Sequence, residues 1–195
     1  MPELQDTKEK GTKVKTKADV SIKSKFSIRG EYKIVTLKPR PAYVPLKEWL
    51  KMIRKGGAQD AIIRVSPIHK NLIMLDDDVG LNLIMQHLQG DDTNPLEVNF
   101  ASIGTGTTAP SSTDTDLETP VVSGIPKAIG ELTDVDTLYT EWFISNDELP
   151  DDEYTEFGLF CGDKLFARSL ISGPTHTKGP NEDTLIVYSF VVANT

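Results

Sequence analysis

The residues Tyr154–Ile171, YTEFGLFCGDKLFARSLI, decide the class of fold. Two runs rich in apolar and aromatic side chains, Tyr154–Phe160 and Lys164–Ile171, flank Cys161-Gly162-Asp163. Runs this short are strand-sized, and a Gly-Asp pair between them is a hairpin signature. The same grammar recurs on both sides. Thr184–Val192 is apolar on both faces, as in a central strand covered from two sides. Leu138–Ser145 sets Tyr139, Glu141 and Phe143 against Thr140, Trp142 and Ile144, and Leu96–Ile103 puts Leu96, Val98 and Phe100 on one face. Turn-forming stretches at Asp91–Pro95, Asp147–Glu153 and Gly173–Asp183 separate these runs. Further upstream, Asn71–Leu75 is a short apolar segment, Ala61–Val65 reads as a strand, and Phe26–Leu37 reads as a strand or a hairpin around Gly30.

Two segments break the β pattern. Leu46–Lys55 fits a short helix: Pro45 sits at its first turn, Leu46, Leu50 and Ile53 share a face with Trp49, and Gly56-Gly57 stops it. Its other face carries Lys47, Lys51, Arg54 and Lys55, and its apolar face suits packing on the core or on a neighbouring subunit. Val79–Gln89 carries a helical stripe of Leu81, Ile84, Met85 and Leu88, with Asp78 as the expected cap and Gly90 as terminator. The expectation is a mainly β fold: an antiparallel β-sandwich with one or two short helices and an extended N-terminal arm. The chain divides into a basic arm over residues 1–25, an anchor region over 26–67 (a strand, a linker with Pro39, Pro41 and Pro45, and the short basic helix), and a sandwich body over 68–195.

Charge is strongly polarised. Residues 1–70 hold seventeen Lys and Arg against seven Asp and Glu, a net of +10, whereas residues 71–195 hold four against twenty-two, a net of −18. Two surfaces with different partners are expected. Lys8, Lys10, Lys13, Lys15 and Lys17 recur in the arm with almost no large apolar residues, which fits either an anchor that orders on docking or a solvated tail. Together with Trp49, Lys51 and Arg54 they form the expected assembly anchor. No stretch approaches the roughly 20 apolar residues that span a bilayer, and the Lys-rich start lacks the apolar core of a signal peptide, so a soluble protein made in a cytoplasm is expected.

The residues give little support to catalysis. The one cysteine, Cys161, excludes an internal disulfide, and His69, His87 and His176 lack metal-ligand spacing. Gly104-Thr105-Gly106-Thr107-Thr108-Ala109 matches the dinucleotide fingerprint in letters, but Pro110-Ser111-Ser112 follows where that fingerprint needs a helix. Glu148, Asp151, Asp152 and Glu153 could hold calcium on the loop around Pro150 or stand as solvated charge. No catalytic, cofactor-binding or metal-binding residue is assigned. Sequence-specific nucleic-acid recognition is not supported, because the basic third has few aromatics.

Asn99–Pro110, NFASIGTGTTAP, and Ser112–Thr119, STDTDLET, resemble a segment of tailed-phage structural proteins labelled tail fibre or minor tail proteins. A helix similar to Gly80–Ile84 precedes that segment in those proteins, and stretches similar to Thr155–Phe160 and Leu165–Arg168 follow it. The match spans roughly residues 68–192, and residues 1–67 resemble no named family. The resemblance implies a non-enzymatic virion component in the tail, neck or fibre. A capsid decoration, cement or head-fibre protein is the alternative, and a receptor- or glycan-binding module using Tyr154 and Trp142 is a second one. The implied partners are the chain itself, as a homo-oligomer such as a trimer, and other virion proteins, with no membrane and no cofactor. Gly104, Gly106, Pro110 and Asp114 mark the motif loop, whose glycines let the backbone turn sharply out of a strand. That loop is expected to need a defined shape to meet its own or a neighbouring subunit.

Overall fold

A computed structural model describes residues 26–132 and 134–194. The strands are β1 (Phe26–Leu37), β2 (Ile62–Val65), β3 (His69–Ile73), β4 (Val98–Gly104), β5 (Pro120–Leu132), β6 (Thr137–Ile144), β7 (Asp152–Tyr154), β8 (Glu156–Cys161), β9 (Lys164–Leu170), β10 (His176–Lys178) and β11 (Asp183–Asn194). The α-helices are α1 (Leu46–Arg54) and α2 (Leu81–Leu88). The mainly β expectation with two short helices holds. The expected basic arm, with Lys8, Lys10, Lys13, Lys15 and Lys17, lies outside the described residues.

The sandwich is corrected to a closed barrel. Eight antiparallel strands run in the order β1-β11-β6-β5-β4-β8-β9-β3 and return to β1. β2 adds to the outside of the ring, pairing with Val35–Leu37 of β1 while β3 pairs with Gly30–Tyr32 of the same strand. Closure depends on β5, a strand the sequence pattern hid. Its residues PVVSGIPKAIGEL contain two prolines and two glycines, which argue against a central strand. The first half of β5 pairs with β4 as far as Phe100↔Pro126, and the second half pairs with β6 from Lys127↔Trp142 onward. Gly124 takes a φ of 71° and the register shifts on both sides of it, so the strand bends from one sheet into the next. A sandwich leaves such a corner open; here one continuous strand crosses it.

Alternation sorts the wall. Tyr32 and Ile34 of β1, Trp142 and Ile144 of β6, Phe157 and Leu159 of β8, and Ile186, Tyr188 and Phe190 of β11 fill the interior. Eight strands enclose a space that side chains just fill. Tyr188 and Phe190 ring centroids lie 4.4 Å apart, and Tyr32 and Phe157 lie 4.9 Å apart. The polar tips find partners in the wall: the Tyr32 hydroxyl bonds Ser169 Oγ at 2.7 Å, and Asn71 Nδ2 donates to the Tyr188 hydroxyl at 3.2 Å. β1 is one strand and not a hairpin around Gly30. That glycine makes room for a ring, since a Cβ there would sit 1.6 Å from the Tyr188 oxygen.

The expected boundary between an anchor region and a body at 67/68 does not divide the fold. β1 pairs with β11 over its whole length, and α1 packs on the outer wall. Trp49, Leu50 and Ile53 cover Val35, Leu37, Phe143 and Leu185. α2 contributes buried Leu83 to the barrel core, with Leu81 and Ile84 packed beside it. The expected cap Asp78 does not cap it: its carboxylate accepts from the side chains of Gln86 and Asn94, and Gly80 occupies the N-cap position.

Candidate functional site: a clamped flap on the outer wall

The motif loop leaves β4 at Gly104 and returns as β5 at Pro120. Gly104 is required by a close approach, because a Cβ there would lie 2.3 Å from the Thr119 carbonyl oxygen. Thr105 N donates to that same carbonyl at 2.9 Å, pinching the base of the loop. Residues 105–119 then lie as a flap over the outer face of β8 and β9. Leu117 covers Gly158, where a Cβ would stand 2.8 Å from the leucine methyl. Ser112 O accepts from Leu75 N at 2.8 Å, which ties the flap to the segment following β3.

Two buried charges hold the flap down. Glu156 of β8 has no exposed side-chain surface and Arg168 of β9 has 3%. The Glu156 carboxylate accepts from the backbone amides of Gly106 at 3.1 Å, Glu118 at 3.0 Å and Thr119 at 2.6 Å. Arg168 adds Nε at 3.1 Å and Nη2 at 2.9 Å. Its other nitrogens reach into the flap: Nη1 donates to Asp114 Oδ2 at 2.6 Å, and Nη2 donates to the Thr108 carbonyl at 3.2 Å. Buried charges persist only when paired and hydrogen-bonded this fully. A second carboxylate, Glu118, accepts from Thr108 Oγ1 and from the amides of Thr107 and Thr108, each at 2.7 Å. Those bonds, chiefly from Thr108, hold its carboxyl below the ordinary range.

Gly104, Gly106 and Asp114 are therefore brought together, while Pro110 sits half-buried along the flap and makes no side-chain hydrogen bond. The expected need for a defined loop shape has its cause in this clamp. The two residues that do most of the clamping, Glu156 and Arg168, were not singled out in the sequence. A signal was present: Glu156 opens an otherwise apolar strand that is buried at every position, and Arg168 follows the apolar run Leu165-Phe166-Ala167. Segments widely spaced in sequence meet here. Thr155–Phe160 supplies Glu156, Leu165–Arg168 supplies the arginine, and the two central stretches supply the flap. The clamp shapes a surface, and Thr107–Ala109 and Thr115–Asp116 face solvent on it.

The other sequence-marked residues scatter. Trp49 is buried against its own barrel. Arg54 bonds Glu131 at 3.1 Å and stands 3.6 Å from Glu141, a carboxylate with no exposed surface. Lys51 remains exposed beside Glu48. Tyr154 and Trp142, the aromatics a glycan site would have used, are both fully buried, so they offer no sugar platform. Cys161 is buried and its thiol is pushed up to about 12 by desolvation, far from a nucleophile's range. No helix follows Gly106, so the fingerprint letters lack the N-terminus they need. On the acidic loop, Asp151 pairs with Lys178 and Glu148 accepts from Ser145 N. Among the described residues no group of three His, Cys, Asp or Glu side chains is arranged to hold a metal ion. Compared with models of protein families, with curated proteins and with solved structures, the chain gives no match.

Proposed function

We propose that this chain is a non-enzymatic structural component of a tailed-phage virion, sited in the tail, neck or fibre and assembled through its basic leader. One observation carries the reading. Four of the five stretches that resemble phage structural proteins, all but Gly80–Ile84, converge on a single clamp whose product is a rigidly shaped external loop. A buried ion pair that spends every contact on holding a flap serves presentation of a surface, and defined surfaces are what symmetric assemblies need. The polarised charge of the chain supports the same reading, with a basic leader for docking and an acidic barrel that stays apart from nucleic acid.

The test is made on purified particles of the phage that encodes the chain. Mass spectrometry is expected to find it as a stoichiometric component, and absence from clean particles overturns the proposal. Deleting residues 1–25 is expected to leave a folded barrel that no longer joins particles; normal incorporation removes the anchoring role. Tens of copies or fewer per particle fit a tail or neck station, and hundreds fit capsid decoration.

A further inference from the structure

The helix α1 and the flap stand on opposite sides of the barrel. α1 lies over β1, β11 and β6, where it covers Val35, Leu37, Leu185 and Phe143, so it is centred on β11. The flap lies over β8 and β9. In the closed ring β11 and β8 are four strands apart in either direction, and the helix and the flap face away from each other.

The two faces also differ in charge. Residues 26–70, which include α1, hold ten Lys and Arg against three Asp and Glu, a net of +7. Lys47, Lys51 and Lys55 recur at every fourth position and form an exposed row along the helix and its C-cap. Lys51 meets only the exposed Glu48, and Lys47 and Lys55 make no ion pair among the described residues.

Apolar surface is left open among these lysines: Tyr43, in the turn leading into α1, is 88% exposed, and Met52 on the helix is 40% exposed. Tyrosine and methionine left open in this way are typical of contact surfaces. The flap, residues 105–119, holds Asp114, Asp116 and Glu118 and no Lys or Arg. Asp114 and Glu118 are engaged by Arg168, whereas Asp116 is exposed and makes no ion pair among the described residues. The tie between Leu75 and Ser112 sets Asp76 and Asp77, both exposed, at the border of the flap.

We propose that copies of this chain associate head to tail, with the acidic flap of one copy seated on the lysine row, Tyr43 and Met52 of the next. Two flaps repel each other and so do two helix faces, so like faces do not join, whereas opposite faces attract. The clamp already holds the flap in shape, which lowers the ordering cost of docking. Each contact leaves a free flap at one end and a free helix face at the other, so the association extends into a stack or closes as a ring.

This rests on the reading of the chain as an assembling component and names the surfaces that meet. The isolated full-length chain is the sample, so failure here is distinct from absence from particles. Sedimentation at low salt is expected to show species larger than one chain, which return to single chains at high salt as the charges are screened. Lys47→Glu with Lys51→Glu removes the basic face, and Asp77→Asn with Asp116→Asn removes the acidic one. Each variant alone is expected to remain a single chain with unchanged far-ultraviolet dichroism. Their mixture is expected to form a one-to-one dimer and nothing larger, because one intact face of each kind remains. Single chains of the parent protein at low salt overturn the proposal, as do variants that still associate alone or a mixture that does not pair. A lysine row that retains a DNA duplex while the copies stay apart overturns it too, and assigns that face to nucleic acid.

Discussion

Arg168 and Glu156, twelve residues apart on neighbouring strands, meet 2.9 Å apart on the outer wall of the barrel with almost no surface open to water. Three backbone amides from the flap converge on the same carboxylate. The flap's shape is thus a consequence of a buried charge that must be satisfied.

Removing one partner strands the other. Arg168→Met is expected to destabilise the fold by about 3 kcal/mol, toward the lower end of the range for a broken buried pair because the three amides remain on Glu156. Arg168→Lys should recover little of this loss, since one ammonium cannot reproduce the separate Nε, Nη1 and Nη2 contacts. Urea unfolding followed by circular dichroism measures both variants, and a wild-type midpoint for either contradicts the clamp.

Gly104→Ala attacks the flap from its base. The added methyl meets the Thr119 carbonyl, which is backbone and cannot swing aside. A loss of about 1–3 kcal/mol is expected, as for overpacking. Limited proteolysis should cut within residues 105–119 faster than in the parent protein, with sites mapped by mass spectrometry. Equal cutting rates would show that the pinch is not what holds the flap.

Arg54 and Lys51 share a helix but should behave differently. Burial raises the Glu141 carboxyl above its ordinary range, and Tyr139 and Arg54 oppose that rise. Arg54→Ala leaves that carboxylate short of a charged partner and is expected to cost about 1–3 kcal/mol. Lys51→Ala, at an exposed pair, should change stability by less than about 0.5 kcal/mol. If the two variants melt alike, Arg54 is not part of the fold's own bracing.

His176 should make the barrel sensitive to mild acid. Desolvation, with Arg64 as the next cause, pushes its imidazole down to about 4 from 6.5. The unfolded chain takes up this proton below 6.5 and the folded chain does not until about 4, so the stabilisation is complete above 6.5 and lost as pH falls toward 4. The loss approaches about 3 kcal/mol at the bottom of that window. Unfolding free energies measured at several pH values should show a flatter slope in His176→Gln; identical slopes would assign the acid sensitivity elsewhere.

Much of the wall was readable residue by residue. Period-two alternation in Leu138–Ser145, the Gly-Asp turn at 162–163 and the two-faced run Thr184–Val192 are local properties, and each became β6, the β8–β9 turn and β11. The helix at Leu46–Arg54 followed from Pro45, its apolar stripe and the glycines behind it. The motif glycines at 104 and 106 could be recognised as a sharp exit from a strand.

Only the tertiary structure decided that the sheet closes, because closure depends on β5, whose prolines and glycines look like turn residues until two partner strands take up its two halves. The same holds for Glu156 and Arg168. A charge beside an apolar run is legible, but the partner that lets it stay buried comes from another strand and from a loop some fifty residues upstream. Local pattern determines which face a side chain takes; which groups meet across the barrel depends on long-range register, since each buried charge is tolerated only where the fold delivers its counterpart.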